Sequence, residues 1–228
     1  MTGQDRVKLV AFDMEGCLTA DPTVWEIMHR KLGTWESHGL PYWNRYRAGE
    51  LEYDEFARMD VAVWRGAPAD LLAAAASEVP LMRGCAELLG ALSAAGIRAA
   101  VITNGLACVA DRFRDAFGIE HTYANRVLVE GRRLTGGLEI CVPYARKGHV
   151  LRRLARQLGL RREELAAVGD SPSDIAMLRA VRVAVAVQPC APEVATAATH
   201  VLQDGDLRSL VPVFMPGGAG PSGADQSM

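Results

Sequence analysis

Short apolar runs recur along the chain at residues 7–12, 98–102, 166–168 and 183–187, with a weaker one at 200–202. Their length and β-branched content mark them as strands, and runs apolar at successive positions belong in a sheet covered on both faces. Between them, apolar residues recur at helical spacing. The stretch 86–95 ends at Gly96, 106–117 at Gly118 and 147–158 at Gly159, while 174–180 is shorter. A glycine just past the last periodic residue is a common helix stop, because it enters the left-handed region without strain. Strands alternating with helices of this length predict βαβ units. The expected fold is therefore α/β, with a Rossmann-like, mostly parallel sheet as its core.

Residues 20–80 break that rhythm. They hold all four tryptophans (Trp25, Trp35, Trp43 and Trp64) and no clear strand, only helical periodicity interrupted at Gly33, Gly39–Pro41 and Gly49. The pattern predicts a small helical cap inserted after the first strand, with a core built from 1–19 and 81–214. The Gly/Pro/Ser-rich stretch 215–228 reads as a disordered tail. The aromatic set Trp25, Trp35, Tyr42, Trp43, Tyr46 and Trp64 has two readings: packing of a small module that needs large side chains, or a substrate-lining or interface surface. His29 and His38 read as surface or cap residues, without neighbours at metal-ligating spacing.

Composition narrows the function classes. Half of the residues are hydrophobic and 23% are charged, as in ordinary globular enzymes. A formal net charge of −2 gives no electrostatic case for nucleic acid or an anionic membrane surface. The five cysteines are odd in number, scattered and never in a Cys-x-x-Cys pair, which suits a reducing compartment better than a disulfide framework or a zinc site. With no signal-like start and no apolar run of membrane length, a cytoplasmic location is the expectation.

The stretch VKLVAFDMEGCLT, residues 7–19, ends an apolar run on two acids, Asp13 and Glu15. Residues two apart on a strand share a face, about 7 Å apart. Like charges so placed repel, unless a cation or a phosphoryl group lies near them. Other polar groups also follow apolar runs: Thr103, Asn104 and Gly105 after one strand, and GDSPSD from Gly169 to Asp174 after another. Lys147 opens a helix. Open α/β sheets bind ligands at the carboxyl ends of their strands. Singly, these are a solvated turn, a cap, a surface lysine and a loop leading to an N-cap. Four such signals in strand-end or helix-start positions are improbable as coincidence.

Their order resembles that of the haloacid dehalogenase (HAD) superfamily of phosphotransferases. That family carries Asp-x-Asp/Glu after the first strand and a Thr or Ser after the second. A Lys then opens a helix, and a Gly-Asp-x-x-x-Asp loop completes the set. The likeness runs over roughly 7–214. FDMEG, ITNG, YANRV, LTGG, KGHVL and GDSPSDIAML, with the early helical insertion, resemble the phosphoserine-phosphatase-like branch. The resemblance implies Asp13 as nucleophile, Glu15 as general acid and then base, and phosphate binding by Thr103, Lys147 and backbone N–H groups around Asn104 and Gly105. It implies Mg²⁺ held by Asp13, the Glu15 carbonyl and Asp170, with Asp174 binding through water or orienting Lys147. The expected partner is a small phosphate ester.

There are departures from the family pattern. Glu15 stands where Asp is usual, Cys17 where a hydroxyl or valine is common, and Ser173 where many relatives have Asn. The family's cap Glu and Arg, which clamp phosphoserine, align with Pro22 and Asp60; Glu26, Arg58, Asp60 and Arg65 are the specificity candidates. A sugar, amino-sugar or polyol phosphate is the alternative substrate, and a phosphotransferase or mutase the alternative reaction. Dehalogenation has no use for Glu15 or the acidic loop. A non-catalytic binding protein would be expected to have lost one of the four motifs.

Overall fold

The computed structural model describes residues 6–216. Its strands are β1 (Leu9–Phe12), β2 (Arg98–Leu106), β3 (His121–Glu130), β4 (Arg133–Glu139), β5 (Leu165–Gly169), β6 (Val183–Val187) and β7 (His200–Leu202). They form one seven-stranded sheet in the order β4-β3-β2-β1-β5-β6-β7, parallel except for β4. Four helices follow β1: α1 (Val24–Lys31), α2 (Leu40–Arg47), α3 (Tyr53–Val63) and α4 (Ala69–Glu78). The later helices are α5 (Cys85–Ala94), α6 (Ala107–Phe117), α7 (Lys147–Gln157), α8 (Ile175–Leu178), α9 (Pro192–Ala197) and α10 (Val211–Phe214). The mostly parallel α/β arrangement is the one the apolar pattern predicted.

Alternation along the central strands builds two apolar layers. Val10 and Phe12 of β1 join Leu88 and Leu92 of α5 and Val109 and Phe113 of α6, whereas Leu9 and Ala11 join Leu151 and Leu154 of α7. Burying a side chain such as Phe12 is worth about 1.5–3 kcal/mol, and truncating it to Ala would cost about 3–5 kcal/mol. This packing holds the carboxyl end of β1 in place.

Three features depart from expectation. β1 stops at Phe12, one residue before the first acid. β2 continues through Thr103–Gly105 to Leu106, but its register with β3 shifts between Ile102 and Leu106. Such irregularities bend a strand and re-aim its side chains. The third is the β3–β4 hairpin, which the apolar pattern did not reveal. The distal half of β3 is largely solvent-exposed although it carries the short apolar stretch Val127–Val129.

The segment 20–80 is helical. The expected breaks at Gly33 and Gly49 are turns, but around Gly39–Pro41 a π-helical turn (Trp35–Gly39) runs straight into α2. Trp64 and Trp25 are buried, while Trp43 is 39% exposed. His29 is fully buried, not on the surface. Its Nδ1 meets the Thr34 hydroxyl at 2.8 Å and its Nε2 lies 3.2 Å from Asp60 Oδ1. The hairpin reaches this segment too: the Gly66 N–H donates to the Leu134 carbonyl, and the Leu134 N–H to the Ala67 carbonyl. The tail expected at 215–228 lies outside the described residues, apart from Met215 and Pro216. All five cysteines are free thiols. No helix among the described residues is long and apolar enough to cross a membrane.

Candidate active site

Register sets three strand ends side by side. Phe12 of β1 pairs with Val101 of β2 on one side and Val168 of β5 on the other. The residues just beyond, Asp13, Thr103 and Asp170, therefore share one edge of the sheet, where such folds bind ligands. The Asp13 N–H still donates to the Val168 carbonyl at 2.9 Å, and then the chain turns, with the Met14 carbonyl accepting from the N–H groups of Cys17, Leu18 and Thr19. Gly16 has φ +77°, and a Cβ there would stand 2.6 Å from Asp170 Oδ2. A side chain at that position would both strain the turn and displace Asp170. Asp13 and Glu15 thus do not share a strand face; a loop brings them round. The Glu15 carboxyl lies against the β2 irregularity, its Oε2 3.2 Å from where a Cβ on Gly105 would be.

Lys147 is the centre of the charge pattern. From the first turn of α7 its Nζ reaches Asp13 Oδ2 at 2.9 Å and Asp174 Oδ1 at 2.8 Å, and all three side chains are buried. Asp13 Oδ1 accepts from the Met14 N–H at 2.7 Å. Asp174 Oδ2 accepts from the N–H groups of Asp170 and Ser171 at 3.2 and 3.1 Å and from the Ser171 hydroxyl at 3.1 Å. Both oxygens of Asp174 are therefore engaged in fixing Lys147 and the acidic loop.

The electrostatics follow from burial. Burial pushes the Asp13 carboxyl up and the Lys147 ammonium opposes it. Burial would lower Lys147, but the carboxylates of Asp13 and Asp174 outweigh it and hold the ammonium charged. Burial, and then the Asp13 charge, push Glu15 up to about 7. The Glu15 Oε1 atom is buried without a hydrogen-bond partner. Asp170 is pushed well up by burial and then by Asp13 and Asp174. Cys17, buried beneath these acids, is held as a neutral thiol.

Oxygens of Asp13, Asp170 and Asp174 come within 4.8 Å of one another. Two buried carboxylates and a partly buried third, Asp170, against one ammonium leave negative charge in excess, a costly arrangement unless a cation offsets it. An all-oxygen donor set of this kind fits Mg²⁺.

Thr103 is buried, and its hydroxyl oxygen accepts from the Gly105 N–H at 2.9 Å. The Asn104 side chain turns away, donating to the Val142 carbonyl at 2.8 Å. Asn125, in the YANRV stretch, was not singled out by sequence. It is fully buried, donates to the Asn104 carbonyl at 2.6 Å and accepts from the N–H groups of Cys141 and Val142 at 2.9 Å each. A polar residue in the apolar part of β3 was its only signal.

The four specificity candidates do not converge on this edge. Glu26 pairs with Arg30 in solvent at 2.7 Å. Arg58 is exposed and donates to the Asp54 carbonyl. Arg65 is exposed and packs beside Gly136. Asp60 is buried against His29. What approaches the acids instead is aromatic. Trp25, buried in α1, works against the upward push on the Glu15 carboxyl. The Tyr53 hydroxyl donates to the Asn104 carbonyl at 3.0 Å, and its ring stacks on Tyr144 at 5.7 Å.

The sequence pattern of the haloacid dehalogenase-like hydrolase family matches residues 10–179, a span that runs from β1 through the acidic loop. The chain belongs to this family. Within the haloacid dehalogenase-like hydrolases it falls in the phosphoserine-phosphatase-like branch of phosphatases. It is 25% identical over 211 residues to a phosphoserine phosphatase of Methanocaldococcus jannaschii, covering 91% of this chain and 98% of that one. A phosphoserine phosphatase of Archaeoglobus fulgidus is 27% identical over 172 residues; there 75% of this chain covers 49% of the relative, about half its length. A solved structure described as a phospho-aspartyl intermediate analogue of phosphoserine phosphatase superposes with a TM-score of 0.81 at 23% identity, covering 91% of this chain and 99% of that one.

Proposed function

We propose that the protein is a Mg²⁺-dependent phosphomonoesterase that hydrolyses a small phosphorylated metabolite through an aspartyl-phosphate intermediate. The observation that carries this reading is the buried Asp13–Lys147–Asp174 chain at a strand end, with the unpartnered Glu15 Oε1 beside it. Asp13 Oδ attacks phosphorus while the ester P–O bond breaks, and the departing alkoxide takes the proton of Glu15. In the second half, Glu15 takes a proton from water. The water oxygen bonds to phosphorus, and the bond from phosphorus to Asp13 breaks, releasing inorganic phosphate. Lys147, the Thr103 hydroxyl and N–H groups around Asn104 and Gly105 meet the phosphoryl oxygens. Mg²⁺, held by Asp13, Asp170 and the Glu15 carbonyl, supplies further positive charge there when bound. Asp174 orients Lys147 and the acidic loop. The helical segment 20–80 acts as the cap that excludes water.

The test is phosphate release from p-nitrophenyl phosphate, a generic ester, with and without Mg²⁺. Asp13→Asn should lower kcat/KM by about 10³-fold or more, and acid quenching should trap a phosphorylated wild-type enzyme but no labelled variant. Undiminished turnover in the variant would rule out Asp13 as nucleophile. Adding acceptor alcohols separates hydrolysis from transfer: a phosphotransferase would yield new esters in place of free phosphate.

A further inference from the structure

We propose that the alcohol part of the substrate is an uncharged, polyhydroxylated one, a sugar or cyclitol, rather than an amino acid. This rests on the phosphomonoesterase reading above and concerns what the cap selects.

The first support is the inventory of cations. Lys147 is the buried cation at the acids, and it is already held by Asp13 at 2.9 Å and Asp174 at 2.8 Å. The arginines of the segment 20–80 are engaged elsewhere or exposed. Arg30 pairs with Glu26 and lies over the Trp35 ring, and Arg45 pairs with Glu50. Arg47, Arg58 and Arg65 are exposed, as is Arg146 beside the catalytic lysine. Among the described residues, then, no buried guanidinium faces the acids. A substrate carboxylate would lose its hydration next to Asp13 and Glu15 and gain at most a solvent-exposed ion pair, which offsets little of that loss.

The second support is what stands there instead. Tyr46 from α2 and Tyr144 from the loop before α7 both pack on Tyr53 of α3, so three phenol rings from cap and core form one aromatic cluster. Tyr53 stacks on Tyr144 at 5.7 Å, and Tyr46 packs edge-on to Tyr53 at the same distance. All three are only partly buried, as groups bordering an open cleft are. Phenolic hydroxyls both donate and accept, so they match substrate hydroxyls, and aromatic faces suit the C–H surface of a ring. Neither feature compensates a formal charge.

The experiment compares kcat/KM for D-glucose 6-phosphate and myo-inositol 1-phosphate with that for O-phospho-L-serine. O-phosphoethanolamine, which has the ammonium without the carboxylate, and p-nitrophenyl phosphate complete the panel. At least one ring alcohol phosphate should exceed phosphoserine by about 10²-fold, with phosphoethanolamine ranking above phosphoserine. Tyr46→Phe combined with Tyr144→Phe should raise KM for the preferred ring ester about tenfold, through lost hydrogen bonds, with a smaller change in kcat. Phosphoserine equal to or better than both ring esters overturns the proposal, and so does an unmoved KM in the double variant. p-Nitrophenyl phosphate distinguishes the two levels. If it turns over while phosphoserine is preferred, only the substrate inference fails. If it is inert with Mg²⁺, the phosphomonoesterase reading fails and takes this inference with it.

Discussion

The strand-end floor of the site and the helical segment above it solve opposite problems. The floor concentrates charge: Asp13, Asp174 and Lys147 are buried together at 2.8–2.9 Å, with Asp170 and Glu15 beside them. The helical segment removes charge from the same space. Its buried polar contact, His29 with Asp60, is turned into its own interior, where His29 packs edge-on to Trp64 at 5.7 Å. Tyr53, Tyr46 and Trp25 are what it offers the acids. Buried charge is tolerated where a fixed scaffold holds its partners in place, and β1, β5 and the start of α7 do so for Asp13, Asp174 and Lys147. On the function proposed above, chemistry belongs to the floor and selection to the aromatic side.

The strongest way to break that division is to unbalance the floor. Lys147→Met leaves Asp13 and Asp174 facing each other in a buried site. Activity should fall by about 10³-fold or more, and stability by about 3–5 kcal/mol, the usual cost of stranding a buried charge. Turnover against p-nitrophenyl phosphate and urea denaturation measure the two. Raising Mg²⁺ should recover part of the stability and little of the rate. A variant that is inactive yet fully stable would mean the ammonium does not neutralise the floor.

Glu15→Gln is the next largest effect, and it sharpens the roles within the floor. Without a proton donor, esters of poorly leaving alcohols should lose about 10²–10³-fold in kcat. p-Nitrophenyl phosphate, whose leaving group needs no proton, should lose much less in the first step. Equal losses for both ester types would show that Glu15 positions rather than protonates.

Much of this floor was legible in the sequence, because its signals are local. Asp13 and Asp170 each follow a strand, Thr103 follows the apolar run within β2 and Lys147 opens a helix, and apolar runs reveal strands. The register that joins β1 to β2 and β5 then does the rest. The β3–β4 hairpin was missed although Val127–Val129 is a short apolar run, because the glycine-containing LTGGLE of β4 gives it no matching apolar partner, and Asn125 was missed because a buried amide looks like any loop residue. Tyr53 and Tyr144 were missed for another reason. They meet across 91 positions of sequence (144 minus 53) through a cap–core contact that no local pattern encodes. Asp60 shows the converse failure: an acid at an aligned position read as a substrate contact, whereas the fold buries it against His29.

Asp60→Ala therefore tests the helical side alone. Removing the carboxylate strands the His29 ring and opens a small void, at a cost of about 2–4 kcal/mol by analogy with other broken buried pairs. Burial already holds the Asp60 carboxyl above its ordinary range against the pull of His29. Substrate preference should not change, and the ranking of ring esters against O-phospho-L-serine should stay as in the unaltered protein. A reordered ranking would move Asp60 back among the specificity residues and erase the proposed separation between a structural interior and a selecting surface.

The smallest effect lies at the opposite edge of the sheet, where charge serves the fold and has no catalytic part. Glu164, just before β5, accepts the Arg161 N–H at 2.9 Å and pairs with Lys8 at 2.7 Å. These contacts, the backbone one first, hold its carboxyl down at about 2. A carboxyl depressed in the folded state binds its proton more readily when unfolded, so its contribution is fully present above the ordinary glutamate value and is lost as pH falls toward 2. Glu164→Gln should accordingly lower Tm modestly at pH 7, and the gap to the unaltered protein should narrow below about pH 4, closing near the folded value. Thermal melts at pH 7, 4 and 3 would follow this, and kcat at neutral pH should be unaffected. A gap that widened with acid would reverse the sign of the linkage and remove Glu164 as an anchor for the strands that carry Asp13 and Asp170.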